Sequence, residues 1–348
     1  MRFRIVDFGL RISGCPVNPQ STIRNPQSAI DMNIVYLGSG EFGVPCLDAL
    51  KASGHDLGLV VTQPPNPSGR GRKLSPTPVG VWAQSHALPC VPAENVNSPE
   101  IFERLAQVRP DVMVVIAFGQ KIGKALVQLP AKGAINVHAS LLPKYRGAAP
   151  INWAIVNGET ETGVSIITLA DKIDAGDILA QSATPIGANE TAGELHDRLA
   201  HLAAPLLIDT LSRIEAGTAA YTKQDDAKVS FAPKLRKADG FLDFGESAES
   251  LARRIRGFWP WPAASAVHVS QHTGQSIRLV IAAADCVRSP GDNERITGLF
   301  DESLNIICGQ DRLKIAKIKP AGSELMEFRD FVNGWHVQPG DRLMKVEQ

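Results

Sequence analysis

An amide and an imidazole stand two residues apart in the stretch GAINVHASLLPKYRGAAP, residues 133–150. The apolar run around them predicts a buried strand. Residues i and i+2 of a strand face the same side, so Asn136 and His138 project together. Burying the two side chains without partners would cost about 1–3 kcal/mol each. They form either a structural hydrogen-bonding pair at a strand end or part of a site, and the residues alone leave both interpretations open.

A second set of polar side chains follows in LADKIDAGDIL, where Asp171, Asp174 and Asp177 lie in a glycine-containing turn between two predicted strands. Three carboxylates suggest a cation site, but Asp171 and Asp177 occupy strand ends, which are common surface turn positions. The histidine spacing matches no zinc motif either, so we predict no metal.

An Asn, a His and an Asp that converge at the carboxyl end of a parallel sheet, without a G-x-S-x-G nucleophile motif, fit acyl transfer to an amine. Such a transfer needs donors for the oxyanion of a tetrahedral intermediate, a base for the proton of the amine and an acid for the leaving nitrogen. Asn136 and His138 can supply the donors, and an Asp–His pair can move the protons.

The elements that would position these residues divide the chain into parts. From Met32 to about residue 216, short β-type runs alternate with amphipathic helical patterns. This alternation predicts an α/β domain with a Rossmann-like, mostly parallel sheet covered on both faces. Residues 218–237 are polar and irregular. The pattern ESAESLARRIRGF, a WPWP turn and several short strands then predict a small β-barrel domain. We expect a catalytic domain over 32–217, a linker over 218–237 and a C-terminal domain over 238–348.

The first 31 residues differ from the rest. They contain the near-repeat NPQSTI and NPQSAI and lack the long apolar region of a secretory signal. We expect residues 1–31 to be a disordered extension or the product of an upstream start site.

Composition limits the partners and the compartment. The 36 Lys and Arg residues balance the 36 Asp and Glu residues, so a polyanion would have to be bound by a local basic patch. The five cysteines are scattered without a C-x-x-C motif, which is typical of reduced thiols. No apolar run reaches the ~18 residues of a membrane span. A cytoplasmic protein without a membrane partner is predicted.

Two loops have sequence features that are found in nucleotide-binding or RNA-binding proteins. GSGEFG, residues 38–43, matches the dinucleotide fingerprint G-x-G-x-x-G, but the next strand ends VVTQPP without the required carboxylate, so a tight turn with helix packing is favoured. The loop TQPPNPSGRGRKLSPTPVG, residues 62–80, concentrates Arg70, Arg72 and Lys73. Composition alone favours a solvated loop. Its position after a strand, where open α/β folds bind ligands, suggests instead a basic arm that orders on RNA.

Taken together, NVHASLLPKYRGAAP, DAGD, TQPPNPSGRGRKLSPTPV, FAPKLRKADGFLDF and RGFWPWP resemble the folate-dependent formyltransferase family. The resemblance runs from about Met32 to the C-terminus. The Asn-x-His-x-Ser-Leu-Leu-Pro strand and the Asp are shared throughout that family, so they indicate the chemistry. The basic loop and the C-terminal domain are narrower features that indicate tRNA as the acceptor.

The resemblance implies transfer of a formyl group from 10-formyltetrahydrofolate, directly and without a covalent enzyme intermediate, to the α-amino group of methionine on initiator tRNA. It also implies an OB-type C-terminal barrel, and we expect a monomer. The residue roles it implies are as follows: catalysis by Asn136, His138 and Asp174; folate contact by Ser140, Leu141, Leu142 and Pro143; tRNA contact by Arg70, Arg72 and Lys73, with Arg253, Arg254 and Arg256 as a further candidate cluster. The alternatives are a formyltransferase acting on an amino-sugar nucleotide or a purine precursor, and an RNA-binding module without catalysis.

Overall fold

A computed structural model describes residues 32–68, 73–289 and 296–347. The expectation for residues 1–31 therefore lies outside the described residues, as do Arg70 and Arg72. The described residues belong to one compact unit.

The first part of the chain alternates strands and helices, as its sequence pattern predicts. Its elements, in chain order, are β1 (Asn33–Gly38), α1 (Val44–Ala52), β2 (Asp56–Thr62), β3 (Asn66–Ser68), β4 (Lys73–Ser75), α2 (Pro78–Ser85), β5 (Cys90–Pro92), α3 (Pro99–Val108), β6 (Val112–Ile116), α4 (Lys124–Val127), β7 (Ala134–His138), β8 (Arg146–Gly147), α5 (Pro150–Val156), β9 (Glu161–Thr168), β10 (Ile178–Pro185) and α6 (Ala192–Glu215).

The remainder is mostly β-structure. Its elements are β11 (Phe231–Ala232), α7 (Ala248–Gly257), β12 (Ala264–Val269), β13 (Ser276–Val287), β14 (Ile306–Ile307), β15 (Arg312–Pro320), β16 (Met326–Glu327), α8 (Phe328–Trp335) and β17 (Arg342–Met344). Short 3₁₀ segments lie at Glu41–Gly43, Asp226–Lys228 and Lys237–Gly240.

Seven strands form the central sheet, in the order β10-β9-β7-β6-β1-β2-β5. The pairs from β7 to β5 are parallel, whereas β9 and β10 run antiparallel at one edge. The mostly parallel sheet predicted from the sequence is thus confirmed. Because β9 is antiparallel to β7, its last residue, Thr168, pairs with Ile135 rather than with His138.

Alternation along β1 explains the two-sided core. Ile34 and Tyr36 enter one apolar layer together with α1 and α6, and Val35 and Leu37 enter the other together with α3. Successive strand residues face opposite sides of the sheet, so a continuously apolar strand must be covered twice.

The glycines of GSGEFG serve packing. A Cβ at Gly43 would overlap the Tyr36 hydroxyl, and a Cβ at Gly38 would lie 2.7 Å from the carbonyl oxygen of Ile116. The close approach of strand and helix therefore accounts for this motif, as the sequence favoured.

Helix ends also follow the sequence. Ser98, the N-cap of α3, accepts a hydrogen bond from the backbone N–H of Ile101, which satisfies a free donor of the first turn. Gly217, just after α6, has φ +68°, a left-handed conformation that glycine adopts without strain.

The C-terminal domain is a nearly closed antiparallel barrel. Its strands follow the order β14-β15-β13-β12-β17, with β16 also paired to β15. Single bridges from Leu299 to Arg342 and from Phe300 to Ile306 bring β17 towards β14. The small C-terminal β-barrel predicted from the sequence is confirmed.

A histidine and a carboxylate lie buried in this barrel. His268 Nε2 is 3.2 Å from Asp341 Oδ2, and rings of Phe300 and Phe331 meet the imidazole edge to face. Burial lowers the pKa of His268 below its ordinary value of 6.5, although Asp341 opposes the shift. Below pH 6.5 the unfolded chain therefore binds more protons at this residue than the folded chain does, so folding stability must fall as the pH falls.

Replacement of His268 should reduce this pH dependence. We expect the unfolding free energy of the wild-type chain to fall between pH 7 and pH 5 with a contribution of at most about 1.4 kcal/mol per pH unit from His268. The variant His268→Gln should lack that contribution in denaturant titrations at both pH values. The exposed His272, on the same barrel, supplies the control variant His272→Gln. Equal slopes for wild type and His268→Gln would contradict the prediction.

Candidate active site

Strand β7 brings Asn136 and His138 to one face of the sheet. Ile135 and Val137 alternate with them and belong to an apolar core layer. His138 is buried, with 6% of its surface exposed, and Asn136 is half-buried. The same-facing pair predicted from the spacing is present in the structure.

The imidazole of His138 has a defined orientation. Its Nε2 lies 2.9 Å from the carbonyl oxygen of Tyr145. A carbonyl oxygen only accepts hydrogen bonds, so Nε2 carries a hydrogen and neutral His138 presents a lone pair at Nδ1. That Nδ1 lies 3.6 Å from Asp174 Oδ2. A proton taken up at Nδ1 would therefore lie beside a carboxylate.

Asp174 joins the pair from the loop between β9 and β10. Its Oδ2 accepts a hydrogen bond of 2.9 Å from the backbone N–H of Gly147, and its Oδ1 lies 3.5 Å from Asn136 Nδ2. The structure thus brings together the three residues proposed for catalysis. The sequence suggested convergence at the carboxyl ends of parallel strands. The loop instead starts beside Ile135, so it folds back along β7 to reach His138.

This return path requires a glycine. A Cβ at Gly176 would overlap the carbonyl oxygen of Thr168, at the point where the loop rejoins the sheet. The conflict is with backbone rather than with a flexible side chain, so a substitution must displace either the loop or the strand.

The variant Gly176→Ala should accordingly lose about 3 kcal/mol of folding stability, because overpacking forces the backbone to shift. Thermal and denaturant unfolding would measure the loss. Gly334, inside α8, supplies the control, because a Cβ added there would have no atom of the described part of the chain within 4 Å. At that position alanine should stabilise the helix by up to about 1 kcal/mol. A Gly176→Ala protein as stable as the wild type would show that the loop has room the structure does not indicate.

The segment after β7 is held by side chains that sequence reasoning missed. Ser165 Oγ donates to the carbonyl oxygen of Ser140 at 2.6 Å and accepts from the backbone N–H of Leu142 at 3.0 Å. Gln181 Nε2 donates to Ser165 Oγ and to the carbonyl oxygen of Leu142. These contacts join residues 16 to 39 positions apart, and nothing in the local pattern of β9 or β10 signals them.

The proposed folate segment is partly internal. Ser140 and Leu142 are buried, and the Ser140 hydroxyl donates to the carbonyl oxygen of Lys144 at 2.7 Å. Leu141 and Pro143 are half-buried. The side chains of Ser140 and Leu142 therefore shape the segment from within, and a folate contact by the segment stays a prediction.

The proposed tRNA-binding residues belong to two segments of the chain, the loop 62–80 and helix α7. Arg70 and Arg72 are outside the described residues, and Lys73 begins β4, which pairs antiparallel with β3.

The arginine cluster of α7 lies at the junction with the catalytic domain, where each member contacts a protein group. Arg253 Nη1 donates to Glu249 at 2.9 Å, Arg254 Nη2 donates to the carbonyl oxygen of Asp239 at 2.7 Å, and Arg256 Nη1 donates to the carbonyl oxygen of Glu190 at 3.2 Å. Burial and then the neighbouring Arg253 lower the pKa of Arg256. Phosphate binding by this cluster stays a prediction.

The segment 218–237, predicted as a linker, contacts the active site closely. Thr222 exchanges backbone hydrogen bonds with Ile178, and Ser230 accepts hydrogen bonds from the backbone N–H groups of Tyr145 and Arg146. Strand β11 then pairs with β8. This part of the chain is therefore a component of the site wall.

Within the described ranges, no cluster of His, Cys, Asp or Glu could hold a metal ion, and no helix is long and apolar enough to cross a membrane.

Both domains match one family. Residues 32–211 match the family described as "Formyl transferase", and residues 234–336 match "Formyl transferase, C-terminal domain". Curated relatives cover nearly the whole chain. The methionyl-tRNA formyltransferase of Geobacter metallireducens is 40% identical over 314 residues, 90% of this chain and 98% of the relative. That of Citrifermentans bemidjiense is 41% identical over 316 residues, 91% and 98% of the two chains.

Solved structures share the fold at lower identity. The N-formyltransferase of Helicobacter canadensis, in complex with folinic acid and dTDP-3-aminofucose, is 18% identical with a TM-score of 0.58, over 82% of this chain and 99% of that one. HypX of Aquifex aeolicus, in complex with tetrahydrofolic acid, is 16% identical with a TM-score of 0.57, over 87% of this chain and 47% of that one. This chain thus spans about half the length of HypX. From the match of both its domains, the chain belongs to the formyl transferase family.

Proposed function

We propose that the chain transfers the formyl group of 10-formyltetrahydrofolate to the α-amino group of methionine on initiator tRNA, giving N-formylmethionyl-tRNA for translation initiation. The observation that carries the proposal is the cluster of Asn136, His138 and Asp174, in a chain whose two domains align with methionyl-tRNA formyltransferases over almost their full length. The protein acts as a monomer in the cytoplasm, where charged initiator tRNA is present.

The donor groups of the site fit a formyl oxygen. The Asn136 carboxamide is half-buried and, among the residues that the structure describes, makes only a long contact of 3.5 Å, to Asp174, so it retains donor capacity for an oxyanion. Leu141 and Pro143, half-buried in the segment that follows β7, supply apolar surface for an aromatic folate ring.

The residues of the site have different roles in the transfer. The methionine amine attacks the formyl carbon and forms the new C–N bond, the bond from that carbon to folate N10 breaks, and the amine proton ends on N10. Asn136 donates a hydrogen bond to the formyl oxygen, and His138, once it has taken up the amine proton at Nδ1, stabilises the negative charge there as a cation. Asp174 orients His138 and, with it, moves the proton from the amine towards N10.

Direct transfer is supported by the state of the cysteines. Burial raises the pKa of both Cys46 and Cys308 to about 12, and the pKa values of Cys90 and Cys286 are also raised by burial. A thiol is nucleophilic only as the thiolate. The cysteines in the described part of the chain are therefore unsuited to carry the formyl group.

Acceptor specificity is tested by offering the purified protein 10-formyltetrahydrofolate with each acceptor class: initiator Met-tRNA, an amino-sugar nucleotide and an amine-bearing purine precursor. We expect formylation of Met-tRNA alone, measured as release of tetrahydrofolate and by mass spectrometry of the acceptor. Efficient formylation of the sugar or the purine precursor, without formylation of Met-tRNA, would refute the proposal.

Arg70 is proposed to probe the end of the acceptor stem. Arg70→Ala should lower kcat/KM for initiator Met-tRNA by about tenfold or more, because a charge-assisted hydrogen bond is lost. Transfer to a small amine such as a methionine ester should be unchanged. Arg104→Ala, at an exposed arginine of α3 paired with Glu100, is the control and should change neither reaction. Equal losses on both substrates in Arg70→Ala would argue against a recognition role.

A further inference from the structure

Gln224 uses its whole side-chain amide inside the active-site wall. Its Nε2 donates to the backbone carbonyl oxygens of Asp174, at 2.8 Å, and Gly176, at 2.7 Å. Its Oε1 accepts from Nε and Nη2 of Arg146, at 3.0 and 2.9 Å. A carboxamide offers two donor hydrogens and two lone pairs, so both donors and both acceptor positions are occupied.

The two carbonyls that Gln224 binds lie at Asp174 itself and two residues beyond it. Asp174 has φ +52°, in the left-handed region that costs an L-residue energy unless its surroundings hold it there. From this backbone position the carboxylate of Asp174 contacts His138 and the N–H of Gly147. Gln224 thus holds the segment of backbone from which the catalytic carboxylate projects.

Arg146, which donates to Oε1 of Gln224, is itself held in place. Its side chain is buried, with 7% exposed, and its guanidinium lies 3.5 Å from Asp226. Its backbone neighbour Gly147 donates to the Asp174 carboxylate. The segment Arg146–Gly147 therefore contacts the aspartate loop twice, once through the Gly147 N–H and once through Gln224.

We propose that Gln224 is a positioning residue for the formyl transfer, acting through Asp174 rather than on a substrate. This inference rests on the proposed function. Gln224 belongs to the segment that leads from the catalytic domain to the barrel. The connection between the domains therefore completes the geometry of the catalytic site, although it carries none of the reacting groups.

Two substitutions distinguish the contribution of Nε2 of the Gln224 amide from that of Oε1. Gln224→Leu removes both ends. Gln224→Glu keeps the side-chain length and strengthens the contact with Arg146, but a carboxylate cannot donate to the carbonyl oxygens of Asp174 and Gly176. Both variants should lower kcat by about 10- to 100-fold, because displacement of a catalytic group by about 1 Å costs that much. KM for Met-tRNA and for 10-formyltetrahydrofolate should stay within about twofold.

A control variant lies on the same segment. Asp225 is exposed and its carboxylate accepts from the backbone N–H of Ala227, so Asp225→Ala loosens the neighbouring turn without touching the Gln224 amide. It should keep kcat within about twofold, since it leaves the groups around Asp174 in place. Thermal unfolding of all variants identifies any that fail to fold.

The decisive experiment is a double-mutant cycle in full-length protein. If Gln224 acts through the Asp174 carboxylate, Gln224→Leu should lower kcat by less than about twofold in a background of Asp174→Asn, where that carboxylate is already absent. The inference would be overturned if the loss of kcat in the double variant equalled the product of the losses in the two single variants. A kcat within twofold of wild type for both Gln224→Glu and Gln224→Leu would also overturn it. A wild-type protein without formyl transfer would instead refute the proposed function, so the two failures are distinguishable.

Discussion

Replacement of Asn136 by alanine is expected to lower kcat for formyl transfer by about 10²–10³-fold, or about 3–4 kcal/mol of transition-state stabilisation. The variant removes the carboxamide that we propose as a donor to the negative charge on the formyl oxygen. Binding of 10-formyltetrahydrofolate should change little, because a donor aimed at an oxyanion contributes mainly in the transition state. Steady-state kinetics with saturating Met-tRNA measure the loss.

Asn95→Ala provides the control for this variant. Asn95 is exposed, and its side chain accepts a hydrogen bond from the backbone N–H of Asn97, in a turn before α3. Its replacement should leave kcat within about twofold of wild type, since it touches no group of the site. A folded Asn136→Ala protein with a near wild-type kcat would remove Asn136 from the catalytic assignment.

Replacement of Asp174 by asparagine is expected to lower kcat by about 10²–10⁴-fold, the range for loss of positioned acid–base assistance. Asparagine tolerates the left-handed backbone of this position, and its amide oxygen can still accept from the N–H of Gly147. The charge beside His138 Nδ1 is lost, so a proton taken up there is no longer stabilised. The measurement is kcat across a range of pH, with unfolding curves to verify the fold.

Asp171→Asn is the matched control in the same loop. Asp171 is exposed, and it lies three residues before Asp174 in the same acidic turn. Its neutralisation should change kcat by less than about twofold, because it lies outside the cluster. Equal losses in the two variants would indicate a general electrostatic effect of the loop rather than a specific role of Asp174.

The spacing of Asn136 and His138 was enough to predict a polar pair on one side of a strand, because the two-residue period of a strand is a local property. The alternation of strands and helices also predicted the sheet, and the short strands after the WPWP turn predicted the barrel. Each of these features depends on residues within a few positions of one another.

The route of the aspartate loop could not be predicted in this way. β9 runs antiparallel to β7 although α5 lies between them in the chain, and the strand sequence carries no sign of this direction. The need for Gly176 becomes visible only when the loop meets the carbonyl of Thr168. The family resemblance, rather than the spacing, supplied Asp174 as a catalytic residue.

The long-range hydrogen bonds that stabilise the site could not be predicted from the sequence either. Gln224 lies 50 residues from Asp174 and 78 from Arg146, within a polar stretch whose composition is typical of a linker. Arg254 and Arg256 similarly suggested a basic surface, whereas the structure places Arg254 against the carbonyl of Asp239 and Arg256 against the carbonyl of Glu190 in the catalytic domain. The composition of a segment therefore does not predict which long-range hydrogen bonds its side chains form.

The most direct test of the proposed function is formyl transfer from 10-formyltetrahydrofolate to methionine on initiator tRNA, compared with methionine on elongator tRNA under the same conditions. Product is identified as N-formylmethionine after hydrolysis of the tRNA ester. We predict efficient formylation of initiator Met-tRNA and a kcat/KM for elongator Met-tRNA lower by at least about 100-fold, the discrimination expected when several recognition contacts are lost. Absence of N-formylmethionine from the initiator reaction, or equal formylation of both tRNAs, would contradict the proposed function.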